Sequence, residues 1–277
     1  MCETYENKVF YAGKTISSSC LFVNLCQFLN IVAAESGCAL YIKTSCTSST
    51  IQQSTFRNCY GKSNGAVIFS ISTNIKISRS SFFKSHASAG SGVVYGSCFS
   101  TYGAKSGTIE IVSSDKCPES DGHDGIFLLQ DSTTATANNV NVTNSKFYKA
   151  AGLIMCQNGA DTISFYNCYN VQSDIYHALR YQEPKATGKA KFISIVRCTS
   201  PYGFGYLYST TSPIQYLYNC CFCSNKFSYG DVFERIIVSN SSSQCLSQCD
   251  PTKNNIDQVL SHRIGSPILI FVFLFLS

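Results

Sequence analysis

Residues 51–69 read IQQSTFRNCYGKSNGAVIF, and two phrases within them recur along the chain. The first is an apolar residue followed five positions later by a large or sulfur-bearing one. The pairs are Ile51 and Phe56 here, Ile77 and Phe82 in ISRSSF, and Val142 and Phe147 in VTNSKF. Weaker copies are Ile163 and Cys168, Ile193 and Cys198, and Tyr216 and Cys221. In IVSSDK, Ile111 meets Lys116 instead, with Cys117 next door. The residue two before the first apolar one is often apolar as well, as at Ile75, Ile109, Val140 and Ile214. Such period-two alternation marks a strand with one buried face.

The second phrase is a glycine leading into an apolar triplet. Gly37 precedes CALYI, Gly65 AVIF, Gly92 VVY, Gly125 IFLL, Gly152 LIM and Gly205 YLY. Asp174 before IYH is a variant without glycine, and Gly230 before DVF is imperfect. Successive first phrases lie 21 to 34 residues apart. A unit of that size cannot bury its own apolar face, so it must stack on its neighbours.

The apolar segments are three to five residues long and rich in Ile, Val, Phe and Tyr, which form strands rather than repeat helices. The pattern therefore predicts an all-β right-handed parallel β-helix of short stacked coils. Serines three places after the apolar residue (Ser54, Ser80, Ser114, Ser145) are expected to stack at a bend and bond backbone groups there. Phe56, Phe82 and Phe147 are expected to stack inside the coil, with Cys168, Cys198 and Cys221 continuing that column as buried thiols. The clearest repeats cover 35–235 of a β-helix domain spanning 1–250.

STFRNC (54–59) followed by NGAVIF (64–69), and SKFYKA (145–150) followed by AGLIM (151–155), resemble the repeats of right-handed β-helix surface proteins. Chlamydial polymorphic outer-membrane proteins and similar families of parasitic protists are examples. The resemblance implies a surface or secreted protein, adhesive or antigenic, without a catalytic centre.

The composition fits this expectation. Charged residues make up only 13% of 277, against about 25% in ordinary domains. Net charge is +5 without a dense basic run, which speaks against a nucleic-acid partner. Sixteen cysteines suit an oxidising compartment if they are paired. The opening MCETYENKVFYAGKT has no basic start before an apolar core, and LFVNLCQFLNIVAA (21–34) is broken by polar residues, so neither is read as a signal peptide. An N-terminally truncated chain, another export route, or an intracellular chain with reduced thiols are the three alternatives.

After a polar spacer at 251–263, the chain closes with a hydrophobic tail at 264–277, in which Pro267 precedes nine apolar residues. The apolar run of about 13 residues would span about 20 Å as a helix, short of the roughly 30 Å hydrocarbon core. It fits a short membrane anchor, a cleaved lipid-anchor signal with Asn254 or Asn255 upstream, or a strand capping the solenoid. FVFLFL lacks polar alternation, which favours membrane association over a cap.

Many β-helix proteins cut polysaccharides with paired carboxylates, so a lyase or hydrolase on a pectin-lyase-like β-helix is the alternative function. The one acidic cluster is Glu119, Asp121 and Asp124 with His123, and it reads as a solvated Asp- and Gly-rich turn. The four histidines fall in unrelated contexts. Cys220, Cys221, Cys223, Cys245 and Cys249 match a zinc site only loosely and fit either disulfides in the last coil or reduced thiols. No catalytic, cofactor or metal residue is assigned. Asn141 and Asn240 head N-glycosylation acceptors. Tyr95, Tyr102 and Tyr208 would stack on sugar rings if they face outward, or else pack between coils. The expected partners are a membrane through the tail, and a host-surface protein or glycan.

Overall fold

The computed structural model describes residues 1–239, apart from 35–36, 62–66, 88–97, 118–126, 131–132, 148–152, 156–159, 174–178, 182–188, 201–206, 210–214, 228–232 and 235. The regular structure of the described residues is all β-strand, with parallel pairing on every face. The fold is a parallel β-helix.

One face stacks ten strands in chain order. They are Cys2–Glu6, Cys20–Asn24, Ser48–Gln52, Asn74–Phe83, Ser106–Asp115, Thr134–Thr143, Ala160–Tyr169, Lys189–Val196, Gln215–Tyr218 and Ile236–Ser239. A second face runs from Lys14–Ile16 through Leu40–Ile42, Ile68–Ser70, Phe99–Tyr102, Phe127–Gln130, Leu153–Met155, Leu179–Tyr181 and Leu207–Ser209 to Phe233–Glu234. The third face consists of two-residue strands. Val32–Ala33, Tyr60–Gly61 and His86–Ala87 form one group, and Lys146–Phe147, Gln172–Ser173, Thr199–Ser200 and Lys226–Phe227 the other.

The five-residue offset is the distance between two inward columns on either side of one corner. The first column passes through Tyr5, Val23, Ile51, Ile77, Ile109, Ala137, Ile163 and Ala190, with Leu217 next in register. The second passes through Phe10, Phe28, Phe56, Phe82, Ser114, Val142, Cys168, Ile195 and Phe222. Each member of the second stands five residues after its counterpart in the first, so one register fixes both. Rings at Phe10, Phe28, Phe56 and Phe82 stack with successive centroids 4.8 Å apart, which is the strand spacing itself. Burying each such ring is worth about 1.5–3 kcal/mol.

At most described corners one residue turns the chain by adopting left-handed backbone. At the first corner these residues include Leu25, Gln53, Arg79, Ile111, Asn139, Phe192 and Asn219, with φ between 47° and 57°. At the second they include Asn30, Asn58, Lys84, Lys116, Asn144, Asn170, Arg197 and Ser224, with φ between 45° and 54°. Asparagine recurs because its short polar side chain tolerates this region best among residues with a Cβ. Side-chain amides also bond from coil to coil there, Asn58 donating to Asn30 at 2.9 Å and Asn170 to Asn144 at 2.7 Å.

Where the residue after a turn is serine, it is buried and caps the turn. Ser54 donates to Gln52 O at 2.8 Å and accepts from Cys26 N at 3.3 Å, and Ser80 accepts from Ser54 N at 3.2 Å. Ser145 does the same at the second corner, donating to Thr143 O at 2.8 Å and accepting from Cys117 N at 3.1 Å. Backbone groups that the turn frees from the sheet thus find partners inside the coil. Gly37 has φ 66°, and a Cβ there would run into the Leu40 carbonyl, so glycine is required where that coil enters its second face.

Several expectations shift by one corner. Ser54, Ser80 and Ser145 cap bends, but Ser114 lies in the Phe82 column between Phe82 and Val142. Val142 takes the inward position expected of Phe147, which belongs instead to the third face, paired with Ser173. Ile193 and Cys198 occupy the two corners, and the inward pair of that coil is Ala190 and Ile195. Tyr216 and Cys221 are one residue early, for Leu217 and Phe222 are the residues in register with Ala190 and Ile195. Ile111 and Lys116 are corner residues, and Ile109 and Ser114 point inward. Second-face strands form at Phe99–Tyr102 and Leu179–Tyr181; VVY (93–95) and IYH (175–177) lie outside the described residues.

Candidate functional site

The outward surface of the first face is a sheet of short polar side chains. Thr50, Lys76, Thr108, Thr136 and Thr162 stand in one register row, and Gln52, Ser78, Glu110, Asn138 and Ser164 in the next but one. Lys76 Nζ meets Glu110 Oε2 at 2.8 Å across adjacent coils. Both groups are partly exposed, so the pair adds at most about 1 kcal/mol. Such a surface offers hydroxyl and amide hydrogen bonds to a polar partner.

Polysaccharide cleavage on this fold calls for carboxylates facing each other from neighbouring coils. Glu110 has Ser78 and Asn138 as its register neighbours and is engaged by Lys76. Asp115 lies beyond the corner on the same strand, and its Oδ1 accepts from Thr143 Oγ1 and Asn144 Nδ2, each at 2.8 Å. The structure does not bring these two carboxylates together as an acid–base pair. Glu119, Asp121, His123 and Asp124 lie outside the described residues. Among the described residues no group of three His, Cys, Asp or Glu side chains is placed to hold a metal ion.

The cysteines divide by position. Cys2 and Cys20 are direct register partners at the outer edge of the first two coils and form a disulfide, with Cα atoms 4.5 Å apart. Cys221 and Cys223 are disulfide-bonded too, on either side of inward Phe222. The expectation that Cys221 is a buried thiol is thereby corrected, because strand alternation turns it to the side opposite Phe222. Inside the coil, Cys26, Cys38, Cys46, Cys59, Cys98, Cys117, Cys168, Cys198 and Cys220 are buried thiols. Burial pushes Cys59 up to about 11 and raises Cys98 and Cys168 well above the ordinary thiol range. These are poor nucleophiles in the closed fold. The Cys2–Cys20 link was missed in the sequence; its signal is two cysteines in equivalent outward positions one short coil apart.

Other candidate residues are scattered. Asn141 is half-buried on the first face between Ser113 and Asn167, with Thr143 of its acceptor sequence bonded to Asp115. Tyr102 is 51% exposed at the end of its second-face strand, and Tyr208 pairs with Arg180 and Glu234 in the second face. Tyr95, Asn240, Cys245, Cys249, the spacer and the tail lie outside the described residues. Among the described residues no helix is long and apolar enough to cross a membrane. No family model, curated protein or solved structure matches the chain; of the expected likeness, the β-solenoid fold is the part that stands.

Proposed function

We propose that the chain is a non-enzymatic β-helix scaffold of the cell surface, held at the membrane by its hydrophobic tail. On this reading it presents polar faces and turns of varying length to a glycan or a protein of another surface. The observation that carries the reading is the disulfide-bonded state of cysteines near both ends of the described coils. Cys2–Cys20 ties one coil to the next, and Cys221 and Cys223 are bonded near the other end. Such structural disulfides persist in exported proteins and are rare in a reducing cytosol. The turns support display: the chain runs from Gly61 to Ile68 between faces in one coil and from Ala87 to Phe99 in the next, while the strand register stays fixed. Protease treatment of intact cells carrying a tag within 118–126, with and without residues 264–277, tests the proposal. Cleavage on intact cells, with release into the medium on loss of the tail, is expected. Full protection of the tag in intact cells that yields on lysis would overturn it.

A further inference from the structure

Cys168 and Cys198 bring their sulfur atoms within 3.5 Å of each other inside the β-helix, at 1% and 2% exposure. They belong to consecutive coils. Cys168 is the second-column member paired with Ile195, and Cys198 follows the corner after Ile195, its Sγ placed to donate to Val196 O and Cys168 O at 3.5 Å each. Tyr166, also buried, stands two residues before Cys168 on the same inward side. This sulfur contact is about 1.5 Å longer than a disulfide bond.

We propose that Cys168 and Cys198 are an oxidation site, joined as an internal disulfide in the exported protein; this rests on the surface reading above. The reaction is thiol–disulfide exchange with a low-molecular-weight or protein disulfide of the secretory compartment. The thiolate of one cysteine attacks the donor disulfide and displaces a thiol. The second thiolate then attacks the mixed disulfide and displaces the other. Two protons and two electrons leave the pair, and the donor is reduced to two thiols. In the closed coil burial disfavours the thiolate of Cys168, so exchange belongs to the stage before these coils close over it. Once formed, the bond is sealed from solvent, in contrast to Cys2–Cys20 at the exposed edge.

The test is a disulfide map of the natural protein recovered from intact cells, with thiols blocked by alkylation in denaturant before non-reducing digestion. The expected result is a cross-linked peptide pair joining Cys168 to Cys198. It should survive a pulse of thiol reductant on the native protein that opens Cys2–Cys20. Alkylated Cys168 and Cys198 beside an intact Cys2–Cys20 would overturn the inference and leave the export reading standing. Alkylation of all four would overturn both. In a Cys198→Ser variant, loss of the cross-linked pair with alkylated Cys168 would confirm the assignment, whereas a new partner for Cys168 would contradict it.

Discussion

The backbone N–H of Cys59 donates to Ser85 Oγ in the following coil at 3.0 Å. Ser85 N–H in turn donates to Cys117 Sγ at 3.2 Å, and Cys117 N–H to Ser145 Oγ at 3.1 Å. Serine and cysteine therefore do one job at this corner: each accepts from the coil before it and donates to a carbonyl two residues back in its own coil. Ser85→Ala should lower stability by about 1–3 kcal/mol, because the buried Cys59 N–H loses its acceptor. Ser85→Cys should lose less than half as much. Chemical denaturation of both variants checks the comparison.

Phe56 is clasped between Phe28 and Phe82, with ring planes 8° and 12° from parallel. Phe56→Ala should lower stability by about 3–5 kcal/mol. Since the Phe56 and Phe82 rings stack directly on each other, the double variant Phe56→Ala with Phe82→Ala should fall short of additivity, measurable as a double-mutant cycle.

Ile111 turns the first corner with φ 53°. A β-branched residue in left-handed backbone costs about 1–2 kcal/mol. Ile111→Asn, which places at this corner the residue found at Asn139 and Asn219, should raise stability by about 1 kcal/mol. A rise in Tm reports it, and a fall would show that Ile111 is held there by packing.

Ser114 and Ser54 predict opposite outcomes for the same substitution. Ser114 Oγ is buried in the aromatic column and meets no hydrogen-bond partner among the described residues. Ser114→Ala removes an unsatisfied hydroxyl and should raise stability by about 1 kcal/mol, whereas Ser54→Ala removes a bonded one and should lower it by about the same amount or more. Paired thermal melts distinguish them.

Partial burial and the hydrogen bond to the Glu3 carboxylate push Tyr5 from its ordinary value of 10.0 up to about 12. The folded state thus holds the phenol proton more tightly than the unfolded one. That contribution is complete below pH 10 and is lost as pH rises toward 12. Glu3→Gln should bring the phenolate absorbance transition of Tyr5 down toward 10, seen as a difference from the parent in an alkaline titration.

Much of this architecture is written in the sequence. The alternation at Ile75 and Ile77, the five-residue step to Phe82, and the glycines before Leu40, Ile68, Phe127, Leu153 and Leu207 locate both long faces. The misplacements share one physical cause. Each coil has two corners five residues apart, and at either corner a left-handed residue can be followed by a buried Ser or Cys, as at Ser54 and Ser80 on the first and Cys59 and Ser145 on the second. Gln53-Ser54-Thr55-Phe56 and Asn144-Ser145-Lys146-Phe147 are therefore the same local solution at different corners, and Phe147 reads as a core ring although it follows the second corner. Only the cross-coil pairing separates them, and pairing is non-local. The bonded state of Cys221 was hidden in the same way, since a one-residue shift decides which of Cys221 and Phe222 faces inward. The capping role of the serines was legible from residue type, while the equivalence of cysteine to serine in that role was not.

The fixed spacing between the inward columns is the central claim, and inserting a residue tests it most directly. One alanine added between Gln52 and Gln53 lengthens the step from Ile51 to Phe56 and must turn either the aromatic ring or the Ser54 cap out of its column. One alanine added within 118–126 leaves every described register intact. The predicted result is a loss of about 3–5 kcal/mol in the first protein and a change within about 0.5 kcal/mol in the second, read by denaturant unfolding. Equal tolerance of the two insertions would contradict the claim that this five-residue step sets the coil.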